Sequence, residues 1–125
     1  MQQFGDLFTQ RIFTAGEIAY ANGAADKLAA RFAAKEAAIK AFDLSETGLD
    51  WRHIEVASSV SGRPMLRLQG AAAARATEIG AQEIAVSMSH EGDVALAAVI
   101  VYLDLEASPS NPSAPAAVDS NASIA

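Results

Sequence analysis

From Ala24 to Phe42 the chain contains neither glycine nor proline, and alanine fills much of the stretch, with leucine, lysine and glutamate among the rest. These side chains lose little rotamer freedom in an α-helix, so the spacing predicts one long helix of about 28 Å. Everything else in the chain has to find a way of packing against that rod.

The flanking residues read as punctuation. Thr14-Ala15-Gly16-Glu17 has the spacing of a capping box and predicts a short helix that Asn22-Gly23 ends. After the long helix, Trp51 to Ser58 mixes β-branched and aromatic residues in partial alternation. Gly62-Arg63-Pro64 then makes a turn before Met65-Leu66-Arg67-Leu68, predicting two strands with a hairpin-like connection. Gly70 to Ile79 is alanine-rich, and Gly80 stands where a left-handed helix cap belongs. Gln82 to Ser89 and Val94 to Leu103 are β-rich and flank the turn residues Glu91-Gly92-Asp93, so they should pair antiparallel. The fold class is α+β, with antiparallel sheet packed against the long helix.

A chain of 125 residues with 51% hydrophobic content can build one core. Residues 1–103 are expected to form it. Residues 104–125 hold three of the four prolines amid serine, alanine and asparagine, and read as a flexible tail. The absence of cysteine excludes disulfides, thiolate metal sites and a cysteine nucleophile, and suits a cytoplasmic protein. No apolar run reaches signal-peptide or membrane-spanning length, so neither export nor a membrane location is expected. The net charge of −6 argues against general nucleic-acid binding. Asp104, Glu106 and Asp119 lie in the tail, so the domain carries only −3, and all nine basic residues fall between Arg11 and Arg75. A local cationic pocket for a compact polyanion is compatible with that distribution.

On the long helix, Leu28, Phe32 and Ile39 share one stripe at 100° per residue. Lys35 lies within that stripe, and Glu36 and Lys40 line its edge. Charges at such positions are costly unless they are paired or bind something. Periodicity alone leaves two readings open: an i, i+4 ion pair between Glu36 and Lys40 on a partly exposed flank, or a site.

The ten residues Phe32-Ala33-Ala34-Lys35-Glu36-Ala37-Ala38-Ile39-Lys40-Ala41 resemble the signature helix of the 4'-phosphopantetheinyl transferases. That pattern is an aromatic, a small residue, any residue, Lys-Glu, a small residue, two variable positions and Lys. Ala30-Arg31 before it is similar to the short, holo-[acyl-carrier-protein] synthase type. Arg11-Ile12-Phe13-Thr14 with Glu17, Trp51 with Ile54-Glu55-Val56, Gly62-Arg63-Pro64 and Val86-Ser87-Met88-Ser89-His90 match in order, so the resemblance spans about residues 4–103.

The resemblance implies transfer of 4'-phosphopantetheine from coenzyme A to a serine of an acyl carrier protein, with release of adenosine 3',5'-bisphosphate. It implies Mg2+ to neutralise charge on the pyrophosphate. At matching positions, Glu36 is the expected metal ligand. Lys40 is expected to face the phosphates and to assist the serine or stabilise charge, and Lys35 to contact phosphate. His90, with Ser87 or Ser89, is expected at the adenosine phosphates, and Gly62 and Pro64 near the adenine. Arg11 is expected on a cationic face that docks the acidic carrier protein. The assembly implied is a homotrimer with sites between subunits.

Each of these positions also has a plainer reading. His90 suits a turn histidine, Gly62 and Pro64 an ordinary turn and Arg11 a solvated cation, while Trp51 and His53 are assigned to packing. The family opens with a strand of apolar residues around Gly and Asp, whose Asp is a second metal ligand. The chain is read as lacking that strand. Asp6 falls at the position of a family helix instead, and the ligand role is not carried to it. A start further upstream, a degenerate relative or a group from another chain would each account for this. The alternative function is therefore a truncated or degenerate, non-catalytic relative that binds nucleotide or serves in assembly.

Overall fold

The computed structural model describes residues 5–45 and 48–104; the expected tail, apart from Asp104, lies outside the described residues. Three helices open the chain: α1 (Asp6–Ile12), α2 (Ala15–Ala21) and α3 (Ala25–Ala41). The capping box at α2 is formed in full. The Glu17 amide donates to the Thr14 hydroxyl at 3.1 Å, and the Thr14 amide donates to Glu17 Oε1 at 2.9 Å. Asn22 takes the left-handed conformation at φ 47° and closes the helix, as the sequence predicts.

α3 begins after Ala24 and ends before Phe42, within a residue of the expected bounds. Ala34 and Ala38 are wholly buried on it, and their small side chains let the neighbouring strands approach closely. Behind them Ile39, Phe42, Ile54, Leu66 and Ile84 form the main core. Ile12, Phe13, Ala21 and Leu28 form a smaller cluster, which Trp51 joins to the main one. The Trp51 ring stacks on Phe32 at 5.4 Å, so its assignment to packing holds.

Trp51–His53 is a 3-10 turn, not the start of a strand. Asp50 caps it by accepting the Arg52 amide at 3.0 Å. β1 (Ile54–Ser58) follows and pairs antiparallel with β2 (Pro64–Leu68), Ile54 opposite Leu68 and Ser58 opposite Pro64. α4 (Gly70–Glu78) comes next, and Gly80 at φ 77° turns the chain out of it as expected. Gly70 is required by packing, because at φ 53° an added Cβ would lie 2.5 Å from His53 Nδ1.

β3 (Ala81–Glu91) and β4 (Val94–Leu103) form a second antiparallel hairpin. Glu91 pairs with Val94 across a Gly92-Asp93 turn, with Gly92 at φ 57°. The strands thus make two separate two-stranded sheets, both in contact with α3. Alternation divides β4 cleanly. Ala97, Val99 and Val101 turn to the core, whereas Val94, Leu96, Ile100 and Tyr102 remain exposed on the outer face.

Candidate functional site

Successive residues of α3, Lys35 and Glu36, point to different surroundings. The side chain of Lys35 is completely buried. Its ammonium donates to Glu17 Oε1 at 2.8 Å, to the Trp51 carbonyl at 3.1 Å and to the Ile54 carbonyl. An ammonium has three donors, and all three are committed. The expected phosphate contact by Lys35 does not hold, because no N–H is left to offer and no solvent reaches it. Burial pushes its pKa below the usual lysine value, with the Glu17 carboxylate pulling the other way.

Glu17 is the hub of this interior arrangement. Besides the Thr14 amide and Lys35, it accepts the Val56 amide at 2.8 Å on Oε2, tying α2 and α3 to β1. Thr14 adds a further link, donating its hydroxyl to Glu55 Oε2 at 2.6 Å. The sequence exposed the capping half of Glu17's role but not the rest, since one carboxylate was already accounted for by the cap.

Glu36 is half-buried and Lys40 exposed, and no ion pair joins them or engages either one among the described residues. The i, i+4 pair left open by the sequence does not form. Residues 26, 29, 33, 36 and 40 follow 3- and 4-residue steps and so share one face of α3. Near its start Asp26 meets His90, Oδ2 to Nε2 at 3.2 Å, beside a groove of about 250 Å3 between α3 and the β3–β4 turn. Asp26 and Glu36 are separated by about 15 Å along the helix axis.

His90 belongs to β3, opposite Ala95, and is not a turn residue. Ser87 and Ser89 pair with Ala98 and Leu96, so the pleat turns them to the outer face while His90 faces α3. The expected joint action of His90 with either serine is not what one chain offers. Gly62 sits in the β1–β2 loop at φ 87° with open space around it, and Pro64 starts β2. Arg11 is exposed in the last turn of α1, on the helix that also exposes Leu7 and Phe8.

Sequence reasoning missed Arg31. Only 4% of it is exposed, its Nε meets no hydrogen-bond partner among the described residues, and its guanidinium lies 4.1 Å from the Tyr20 ring centroid. It lines a groove of about 250 Å3 with Glu55, Ser58 and Arg67. A buried guanidinium with an unused donor is an electrostatic station for an anion. The sequence signal was an arginine one turn before Lys35, easily read as a solvated flank.

A sequence model of the 4'-phosphopantetheinyl transferase superfamily matches residues 1–99. The holo-[acyl-carrier-protein] synthase of Herpetosiphon aurantiacus is 43% identical over 107 residues, covering 80% of this chain and 84% of its own length. That of Solibacter usitatus is 43% identical over 105 residues, covering 81% and 84%. Among solved structures, the Chronobacterium ammoniagenes ACPS–CoA complex superposes with a TM-score of 0.72 at 31% identity, covering 82% of this chain and 85% of that one. The Helicobacter pylori holo-[acyl-carrier-protein] synthase in complex with coenzyme A gives 0.68 at 26% identity, covering 77% and 82%.

Proposed function

Because the chain belongs to the 4'-phosphopantetheinyl transferase superfamily, we propose that it works as a holo-[acyl-carrier-protein] synthase. It transfers 4'-phosphopantetheine from coenzyme A to a serine hydroxyl of an acyl carrier protein and releases adenosine 3',5'-bisphosphate. The observation that carries the assignment of the reacting end is Glu36, a half-buried carboxylate on the signature helix that no ion pair engages among the described residues.

A hard divalent cation fits such a group. Among the described residues no group of three or more His, Cys, Asp or Glu is placed to hold a metal; Glu36, at the matching position of the signature helix, is the carboxylate that would hold Mg2+. Magnesium is commonly held by one or two carboxylates, with waters and phosphate oxygens filling the other positions. When bound, it supplies neutralisation of the pyrophosphate charge. Lys40, one turn on, holds an exposed ammonium towards the same phosphates, and Arg31 offers a second cationic station away from it. His90 contacts the nucleotide, the Gly62–Pro64 loop lies near the base, and Arg11 meets the acidic carrier protein beside Leu7 and Phe8.

The row of Val94, Leu96, Ile100 and Tyr102 supports self-association, in line with a homotrimer. The roughly 15 Å between the Asp26–His90 pair and Glu36 supports one ligand meeting these groups across two copies. We place the protein in the cytoplasm; among the described residues no helix is long and apolar enough to cross a membrane.

The test is mass spectrometry of an apo acyl carrier protein incubated with the chain, coenzyme A and Mg2+. The expected result is the phosphopantetheine mass on its serine, absent with Glu36→Ala. Undiminished transfer by Glu36→Ala would sink the metal assignment. A second reading, a relative that binds coenzyme A without turnover, is in line with the lack, among the described residues, of a group of three or more His, Cys, Asp or Glu placed to hold a metal; binding with no transfer would select it.

A further inference from the structure

We propose that Asp26 is a positioning residue for His90, selecting which imidazole nitrogen the nucleotide meets; this rests on the reading of His90 as a nucleotide contact. Asp26 lies in the first turn of α3 and reaches His90 on the penultimate residue of β3. The two come together because Ala25 and Ala29 on either side are small, and because the tight Gly92-Asp93 turn brings the strand end over the helix. The groove beside them is lined by these residues with Val94 and Ala95.

An imidazole has two chemically distinct nitrogens, and the bond made by one decides what the other presents. With Nε2 at 3.2 Å from the Asp26 carboxylate, that nitrogen is turned to the helix and Nδ1 is the atom left to a ligand. Asp26 and Asp93 make the groove itself acidic, which disfavours a phosphate inside it. The nucleotide therefore approaches the ring from the Nδ1 side, with Asp26 behind it. Both side chains are about half exposed, at 49% for His90 and 47% for Asp26, so the contact adds little to folding and its value lies in orientation.

The experiment is calorimetric measurement of coenzyme A affinity for the full chain with Mg2+, in a double-mutant cycle of Asp26→Ala and His90→Ala, with Asp26→Glu as the conservative variant. Asp26→Ala is expected to weaken binding about three- to tenfold, Asp26→Glu to recover most of that, and Asp26→Ala to have no further effect once His90 is alanine. Unfolding temperatures of all five proteins are expected to agree closely. Unchanged affinity in Asp26→Ala, or an effect that persists undiminished in the His90→Ala background, would overturn the inference while leaving His90 as a contact. Unchanged affinity in His90→Ala would instead overturn the reading on which it rests.

Discussion

The inner and outer flanks of α3 handle charge in opposite ways. Inside, Lys35 and Glu17 satisfy each other and the surrounding backbone so completely that nothing is left to bind. Outside, Glu36 and Lys40 sit one turn apart, and no ion pair engages either of them among the described residues. The difference teaches that a charge in a signature motif is informative only once its partners are known. Saturated groups hold the helix in place, and unsaturated ones are left to meet a ligand.

The comparison can be broken from the inside first. Lys35→Ala leaves the Glu17 carboxylate buried and unpaired, which should cost about 3–5 kcal/mol of stability in chemical unfolding. A loss below about 1 kcal/mol would mean that the interior pair is not what secures the helix. Next in size is Glu36→Ala on the outer flank. We expect at least about a hundredfold loss of transfer, about 2.7 kcal/mol at the barrier, with the unfolding midpoint nearly unchanged. A large fall in stability would place Glu36 with the structural charges instead.

Two smaller tests sharpen the inner half. Thr14→Ala removes the cap acceptor and the donor to Glu55, and should lower stability by about 1 kcal/mol. The last concerns pH. Because burial depresses the Lys35 pKa below 10.5, the native chain releases that proton before the unfolded chain does. The unfolded state then binds more protons in that window, so stability attributable to Lys35 rises as pH climbs towards 10.5. Glu17→Gln combined with Lys35→Met should lose this slope, as read from denaturant midpoints across alkaline buffers.

Most of the fold was legible because local chemistry and tertiary structure agree. The Thr14–Glu17 box, the uninterrupted α3, the Gly80 cap and the Val94 start of β4 all depend on residues near in sequence. What was not legible depends on partners far apart. Lys35 was recognisably misplaced on an apolar stripe, but its partner lies 18 positions away in a helix whose carboxylate already had an assigned task. His90 and the two serines were grouped by their match to one family segment, whereas the pleat turns the serines to one face and His90 to the other. Trp51–His53 carries strand-like residues, yet the Asp50 cap and the packing of Trp51 on Phe32 favour a tight turn there. Arg31 entered only as part of the family resemblance, because its burial and its unpartnered Nε depend on tertiary packing that its local sequence does not show.

The Glu17–Lys35 pair also restricts the routes by which this sequence can change. Replacing both by an apolar pair removes the ion pair but strands the Thr14 and Val56 amides and the Trp51 and Ile54 carbonyls, at about 1–3 kcal/mol for each that stays buried, and either replacement alone also strands a buried charge. The two positions are therefore separated from their apolar alternative by a barrier that single substitutions cannot cross gradually. To leave the pair, a sequence would have to change both residues together and find new partners for the backbone groups that they satisfy.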